Sequence, residues 1–339
     1  MPSFLIEPMA LLHGAAARMA IGQQTALTLQ GGSSAFALAG LIGAGETRIV
    51  PVALIPPEWH AALDHVTRPP DPAGLPPGPL VMGILNVTPD SFSDGGRHLH
   101  VTDAIAAGHG MIRAGAAILD IGGESTRPDA TVVDPAQEIA RIVPVVVGLR
   151  GQGALLSIDT RNAMTMQAAL EAGADLINDV SGLMHDQAAP ALLSNHDCPV
   201  VLMHMRGTPA SMGGFTQYDA VAVDTVRELS LRIEAAVQAG IARSRLVIDP
   251  GIGFAKNEAQ SLELLRRLPI FANLGCRIML GTSRKRFIGR IAGVASAGAR
   301  DPGSMASSLP GLSLPGCILR VHDVPGMVQA LRVWQAIQG

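Results

Sequence analysis

Three acidic or amide side chains close short apolar runs at wide intervals: Asp159 after Ser157-Ile158, Asn178 after Ile177, and Asp249 before Pro250-Gly251. Two carboxylates and an amide gathered in one pocket offer several acceptors. A heterocycle with amino, ring N–H and keto groups would satisfy them, whereas a simple sugar needs fewer fixed edges. Lys285, Arg320 and His322 follow other apolar runs and supply donors suited to phosphate or pyrophosphate. Asn86 ends the first run. Its neutral oxygen suits Mg²⁺, which keeps several of its waters and takes one or two protein ligands. Two segments, TPDSFSDGG at 88–96 and GGESTRP at 122–128, have the composition of loops that close over reacting atoms.

A repeated element must bring these residues together. Apolar runs recur at 80–86, 117–121, 155–159, 175–179, 200–204, 246–249, 278–281 and 318–321, each ending in polar residues. Stretches with helical spacing lie between them, at 134–150, 163–172 and 219–239. Runs without alternation fit strands buried on both faces, as in parallel sheets. Eight such repeats after residue 79 predict an α/β fold, a (β/α)8 TIM barrel over 80–339 with its polar strand ends on one face. A doubly wound open sheet is the alternative. The count of eight and the lack of a glycine-rich fingerprint after the first run favour the barrel.

Residues 1–79 read as a separate N-terminal extension. Strands are expected at 25–29 and 47–54 around a helix near 34–41. A Pro-rich stretch from Arg68 to Pro79 then reads as an extended linker.

Composition narrows the classes. The 339 residues are 48% hydrophobic and 16% charged, enough for a large core, and 38 Gly with 24 Pro suit many short turns. A net charge of −3 without a long basic run argues against nucleic-acid binding. Three widely spaced cysteines, Cys198, Cys276 and Cys317, show neither metal spacing nor a disulfide framework, and fit a reducing compartment. The N-terminus has no basic region of the kind that opens a signal peptide, and the most apolar early stretch, 21–44, is broken by Gly, Ser and Gln. The expectation is a cytoplasmic protein with small-molecule substrates and no membrane partner.

Taken singly, each polar residue has an ordinary explanation. Asp159 with Thr160, and Asp179, suit helix N-caps. Gly-Gly pairs serve turns. His322 alone is more often structural, and Arg284-Lys285-Arg286 could be a solvated helix start. Caps alone, however, do not require Asn, Lys, Arg and His in one layer.

Assembled in order, the segments GILNVTPDSFSDGG (83–96), LDIGGESTRP (119–128), SIDT (157–160), INDVSG (177–182), VLMHMRGTP (201–209), IDPGIGF (248–254), GTSRKRFIG (281–289) and LRVHDV (319–324) closely resemble the dihydropteroate synthase family, the target of sulfonamides. The resemblance spans residues 80–337, and its first two motifs are long and specific. It implies condensation of 6-hydroxymethyl-7,8-dihydropterin pyrophosphate with p-aminobenzoate, releasing pyrophosphate. It also implies roles. Asp159, Asn178, Asp249 and Lys285 would hold the pterin, with Met203 lining the slot. Asn86, Arg320 and His322 would bind pyrophosphate, with Mg²⁺ at Asn86. Asp90, Phe92 and Ser93 on the first loop, and Thr126, Arg127 and Pro128 on the second, would shape the p-aminobenzoate site, bordered by Lys285 and Arg286. Asp90, Lys285, Arg320 and His322 would be the catalytic set, and a homodimer is implied.

No Ser or Cys has a His placed by motif, so no nucleophile–base pair is evident. The expected reaction is a dissociative substitution driven by electrostatics and positioning, with Asp90 stabilising a cationic pterin methylene. Against the family pattern, 302–315 carries Pro310, Pro315 and glycines where a helix should precede the last strand. A mid-helix Pro costs roughly 3 kcal/mol and Gly roughly 1 kcal/mol, so a broken or shortened helix is expected. A pterin-binding methyltransferase barrel would share the Asp/Asn/Asp set but would not need TPDSFSDGG, STRP or RVHDV. A non-catalytic paralogue would not need Asn86, Asp90, Lys285, Arg320 and His322 intact.

Overall fold

The computed structural model describes residues 4–43, 47–87, 97–124 and 133–338, with 97–100 as backbone only. The N-terminal segment contains β1 (Leu5–Leu12), α1 (Gly14–Gly22), β2 (Leu27–Thr28), β3 (Ala35–Ile42), β4 (Thr47–Pro51) and α2 (His60–Thr67). Its four strands form one antiparallel sheet in which β3 pairs with β1, β2 and β4.

The helix expected near 34–41 is therefore strand β3. Its run AFALAGLI is mostly buried, and an apolar run buried all round has no period that separates strand from helix. Pairing on both edges decides it. Pro8 is accommodated because β1 is an edge strand. Beyond that edge, Asn273 accepts from Ile6 N–H (3.0 Å) and donates to Ile6 C=O (2.7 Å), closing a backbone edge that would otherwise be open. Arg267 adds a two-pronged ion pair to Glu7, at 2.8 and 2.7 Å. Leu5, Ile6, Phe36 and Trp59 share one apolar cluster with barrel residues such as Leu268, Phe271 and Leu274, so the sheet is docked on the barrel.

The Pro-rich stretch is likewise packed and does not form a free tether. Asp71 bridges to Cys276, and Ala73 and Leu75 are buried against Leu80, Met82, Ile118, Leu176, Val201, Val247, Met279 and Ile318 inside the barrel. The carbonyls that the prolines leave unpaired find a donor in Arg277, a buried cation. It donates to the carbonyls of Pro76 (2.7 Å), Gly78 (3.0 Å) and Gly316 (2.8 Å). The segment is a stopper under the N-terminal end of the barrel.

The barrel follows as β5 (Leu80–Asn86), α3 (Arg97–Ala114), β6 (Ile118–Gly122), α4 (Pro135–Leu149), β7 (Leu155–Asp159), α5 (Ala163–Ala172), β8 (Leu176–Asp179), α6 (Ala189–Ser194), β9 (Val200–Met203), α7 (Val221–Gln238), β10 (Leu246–Asp249), α8 (Glu258–Arg266), β11 (Arg277–Leu280), α9 (Arg286–Ala292), α10 (Asp301–Ser308), β12 (Ile318–Val321) and α11 (Val324–Gln338). The eight strands β5 to β12 close in sequence order, all parallel. This is the (β/α)8 barrel that the eight apolar runs predict.

Register places the polar ends together. Asn86 pairs with Gly122, Gly122 with Asp159, Asp159 with Asn178, and Met203 with Asp249. The expected helix break is present: α10 is eight residues long and passes into a 3-10 turn at Leu309–Ser313 containing Pro310. The shortened helix remains useful. Ser304 Oγ accepts from Arg284 N–H (2.8 Å), and Ser308 Oγ bonds Thr282 Oγ1 (2.9 Å), so it props the loop that carries Lys285.

Candidate active site

Arg320 on β12 stands at the centre of the C-terminal face. Its Nε donates to Asp120 Oδ2 and its Nη2 to Asp159 Oδ2, each at 2.6 Å. Asp120, 1% exposed, also accepts from Ser157 Oγ (2.5 Å) and Asn178 Nδ2 (3.0 Å). A buried carboxylate with three donors is fully compensated, and it fixes everything around it. In particular it turns the Asn178 amide so that Oδ1 is left buried with no hydrogen-bond partner among the described residues. Across the pocket, Asp249 Oδ1 accepts from Gly251 N–H (2.7 Å), which leaves Oδ2 without a donor among the described residues. Two acceptors thus wait for donors that the described residues do not supply.

The cavity between them is lined by Asn178, Asp249, Lys285 and Arg320 at its polar edge and by Val180, Met203, Ile252, Phe254 and Met279 on its apolar walls. Lys285 Nζ lies 4.0 Å from the centre of the Phe254 ring, a cation–π contact that keeps the ammonium over the pocket. A narrow apolar slot with donors and acceptors along one edge matches a flat, polyfunctional heterocycle.

Burial dominates the electrostatics. It pushes Asp159 up to about 7; Arg320 opposes that, while Asp120, Glu138 and Asp179 add to it. It raises Asp249, against the Gly251 N–H, Lys285, Arg320 and Lys256. It pushes Lys285 down to about 8, partly offset by Asp249. Acid and base groups drawn toward neutrality in one slot are a mark of a ligand-binding or catalytic site.

The structure brings Asn178, Met203, Asp249, Lys285 and Arg320 into one lining, with Asp159 held to it through Arg320. Arg320 joins the slot lining to the two aspartates. His322 follows β12 and is not part of the slot lining; its Nδ1 lies 2.9 Å from Ser283 Oγ, which also accepts its backbone N–H at 3.1 Å. Asn86 is exposed at the end of β5. A methyl group added to Gly122 would stand 3.8 Å from Asn86 Oδ1 and 3.5 Å from Asp159 Cβ, so both side chains border the same spot. That donor set, one neutral oxygen beside a carboxylate, fits a largely hydrated Mg²⁺. Among the described residues no cluster of three or more His, Cys, Asp or Glu forms a dedicated metal cage. Asp90, Phe92, Ser93, Thr126, Arg127 and Pro128 lie outside the described residues.

Sequence reasoning missed Asp120 and Phe254. Asp120 lies within LDIGGESTRP, two residues before the strand end, with Leu119 and Ile121 beside it. An acid flanked by apolar residues in a strand buried on both faces was the available signal. Phe254 follows Asp249-Pro250-Gly251 closely enough to share the pocket.

Comparison with known proteins places this geometry. Residues 82–322 match the family of pterin binding enzymes. A dihydropteroate synthase from Neisseria meningitidis serogroup C is 41% identical over 262 residues, covering 76% of this chain and 93% of its own. The dihydropteroate synthase of Xanthomonas albilineans, solved with 4-aminobenzoic acid, is 46% identical with a TM-score of 0.73, covering 77% of this chain and 94% of its own. The same enzyme solved with 7,8-dihydropteroate gives 43% identity and a TM-score of 0.70 over the same shares. With its barrel and the polar residues gathered at its strand ends, this chain belongs to the dihydropteroate synthase family of pterin-binding enzymes.

Proposed function

We propose that this chain condenses 6-hydroxymethyl-7,8-dihydropterin pyrophosphate with p-aminobenzoate, giving 7,8-dihydropteroate and pyrophosphate. The observation that carries the reading is the buried, unpartnered Oδ1 of Asn178, a residue that lines the same slot as Asp249. The pterin amino group and ring N–H supply the missing donors, and its keto and ring nitrogen acceptors meet Lys285 and Arg320. Met203, Ile252 and Phe254 cover its faces.

In the reaction, the C–O bond to pyrophosphate breaks and its electron pair leaves with the phosphate oxygen. The aniline nitrogen of p-aminobenzoate forms the new C–N bond, and its extra proton is lost to solvent. An arylamine is nucleophilic without a strong general base, so the reaction asks for no covalent nucleophile. Lys285 and Arg320 place positive charge where negative charge develops on the leaving group, and His322 adds a hydrogen-bond donor. Mg²⁺, held by Asn86 and pyrophosphate oxygens, would neutralise the same charge. Asp90 stabilises the cationic methylene, while Phe92, Ser93, Thr126, Arg127 and Pro128 receive p-aminobenzoate; these assignments rest on the motifs alone. The enzyme works in the cytoplasm as a homodimer on this reading; among the described residues no helix is long and apolar enough to cross a membrane.

Titration calorimetry with the pterin pyrophosphate tests the slot. Asn178→Ala should weaken binding by about tenfold or more, the value of a buried hydrogen-bonded edge. Equal affinity in the variant and the parent would remove the observation on which the reading stands.

A further inference from the structure

A buried ammonium lies behind the slot. Lys256 is 7% exposed and does not belong to the slot lining. Its Nζ meets three acceptors: Gly251 C=O at 3.2 Å, Phe254 C=O at 3.0 Å and His204 Nδ1 at 2.8 Å. An ammonium has three N–H groups, and here each has one acceptor. His204, fully buried, must then carry its proton on Nε2, which donates to Glu228 Oε2 at 2.9 Å. Burial, followed by the nearby Lys256, pushes His204 down to about 3, so the ring stays neutral. Burial alone would raise Glu228, but hydrogen bonds from His204 and Arg206 hold it down to about 2. Cation and anion are thus joined through a neutral imidazole of fixed tautomer.

The two carbonyls that Lys256 grips belong to the residues that shape the slot. Gly251 turns at φ +68°, and a Cβ there would lie 2.0 Å from His204 O, so only glycine makes this turn. The same Gly251 orients Asp249 through its N–H, at 2.7 Å. Phe254 carries its ring to the slot wall and beneath Lys285. One ammonium therefore ties the orientation of a polar edge to the placement of an apolar wall.

We propose that Lys256 is a positioning residue for the pterin: through His204 and Glu228 it braces residues 250–255 so that Asp249 and Phe254 engage one bound ring. This rests on the slot holding a pterin. Burial pushes Lys256 down to about 7, with Asp249 opposing and Arg232 assisting. Its three acceptors offset that penalty only while they stay in place, so the brace and the loop stand or fall together.

The test uses the full-length chain, Lys256→Met and Lys256→Arg, with thermal unfolding as a control. Lys256→Met should weaken pterin pyrophosphate binding by about 10- to 100-fold, the scale of a slot displaced by about an ångström. The KM for p-aminobenzoate should stay within about threefold. Lys256→Arg, which keeps charge and donors, should recover part of the pterin affinity. Pterin affinity in Lys256→Met within about twofold of the parent would overturn the inference. So would a parallel loss of both constants without rescue by arginine, or failure of both variants to fold, since each reduces Lys256 to general stability. If the parent itself fails to bind the pterin, the functional reading falls first and this inference falls with it.

Discussion

Replacing Asp120 with alanine removes the acceptor shared by Arg320 Nε, Asn178 Nδ2 and Ser157 Oγ. Breaking a buried ion pair by deleting one partner costs about 3–5 kcal/mol, because the surviving charge stays buried. Arg320 keeps Asp159 at 2.6 Å and its side chain is 20% exposed, so water relieves part of the loss and the lower end applies, about 3 kcal/mol. At about 2–4 °C per kcal/mol, the unfolding midpoint should fall by on the order of 10 °C. The second effect is local. Without Asp120 the Asn178 amide loses the acceptor that fixes its Nδ2 and is free to turn, so the placement of Oδ1 is no longer set. Pterin pyrophosphate affinity should fall by about tenfold in a sample held below its new midpoint. Calorimetric scanning and titration calorimetry on the same sample separate the two effects. A midpoint within about 2 °C of the parent, with unchanged affinity, would refute the view that Asp120 organises the site.

Asp159 gives a pH signature. Folding raises it from 3.8 to about 7, so the folded chain binds more protons than the unfolded chain between those values. That contribution is fully present below 3.8 and is lost as pH rises through 7. Urea unfolding across this range should show Asp159→Asn with a flatter profile than the parent; superimposable profiles would contradict the burial-driven shift. Asp90→Asn should lower kcat by about a hundredfold while pterin affinity changes only a few fold, and unchanged turnover would end the role given to Asp90. Arg267→Ala breaks the two-pronged pair to Glu7 that helps dock the N-terminal sheet. It should cost about 1–2 kcal/mol in urea unfolding, and no measurable loss would show that apolar packing alone holds the sheet.

The barrel was legible because its strands are buried on both faces and end in polar residues, which sets each run off from its flanks. The 246–249 and 318–321 runs are strands to the residue. Pro310 marked the break after α10 for a local reason, since a proline inside a helix removes a donor wherever it occurs. The N-terminal segment was read less well because tertiary contacts decide it. AFALAGLI fits a buried helix or a buried strand, and only pairing with β1 and β4 selects the strand. The Pro-rich stretch has the composition of a tether, and contacts some 200 residues away, from Arg277 to its carbonyls and from Cys276 to Asp71, dock it on the barrel. Asp159, Asn178 and Asp249 announced themselves at strand ends. Asp120 did not, because its partner Arg320 lies on the last strand, and that adjacency exists only once the barrel closes.

The most direct measurement is pyrophosphate release by the purified full-length chain supplied with the pterin pyrophosphate, p-aminobenzoate and Mg²⁺. Release should require both organic substrates, and Lys285→Ala should abolish most of it. Parent protein that releases no more pyrophosphate than Lys285→Ala would contradict the proposed condensation.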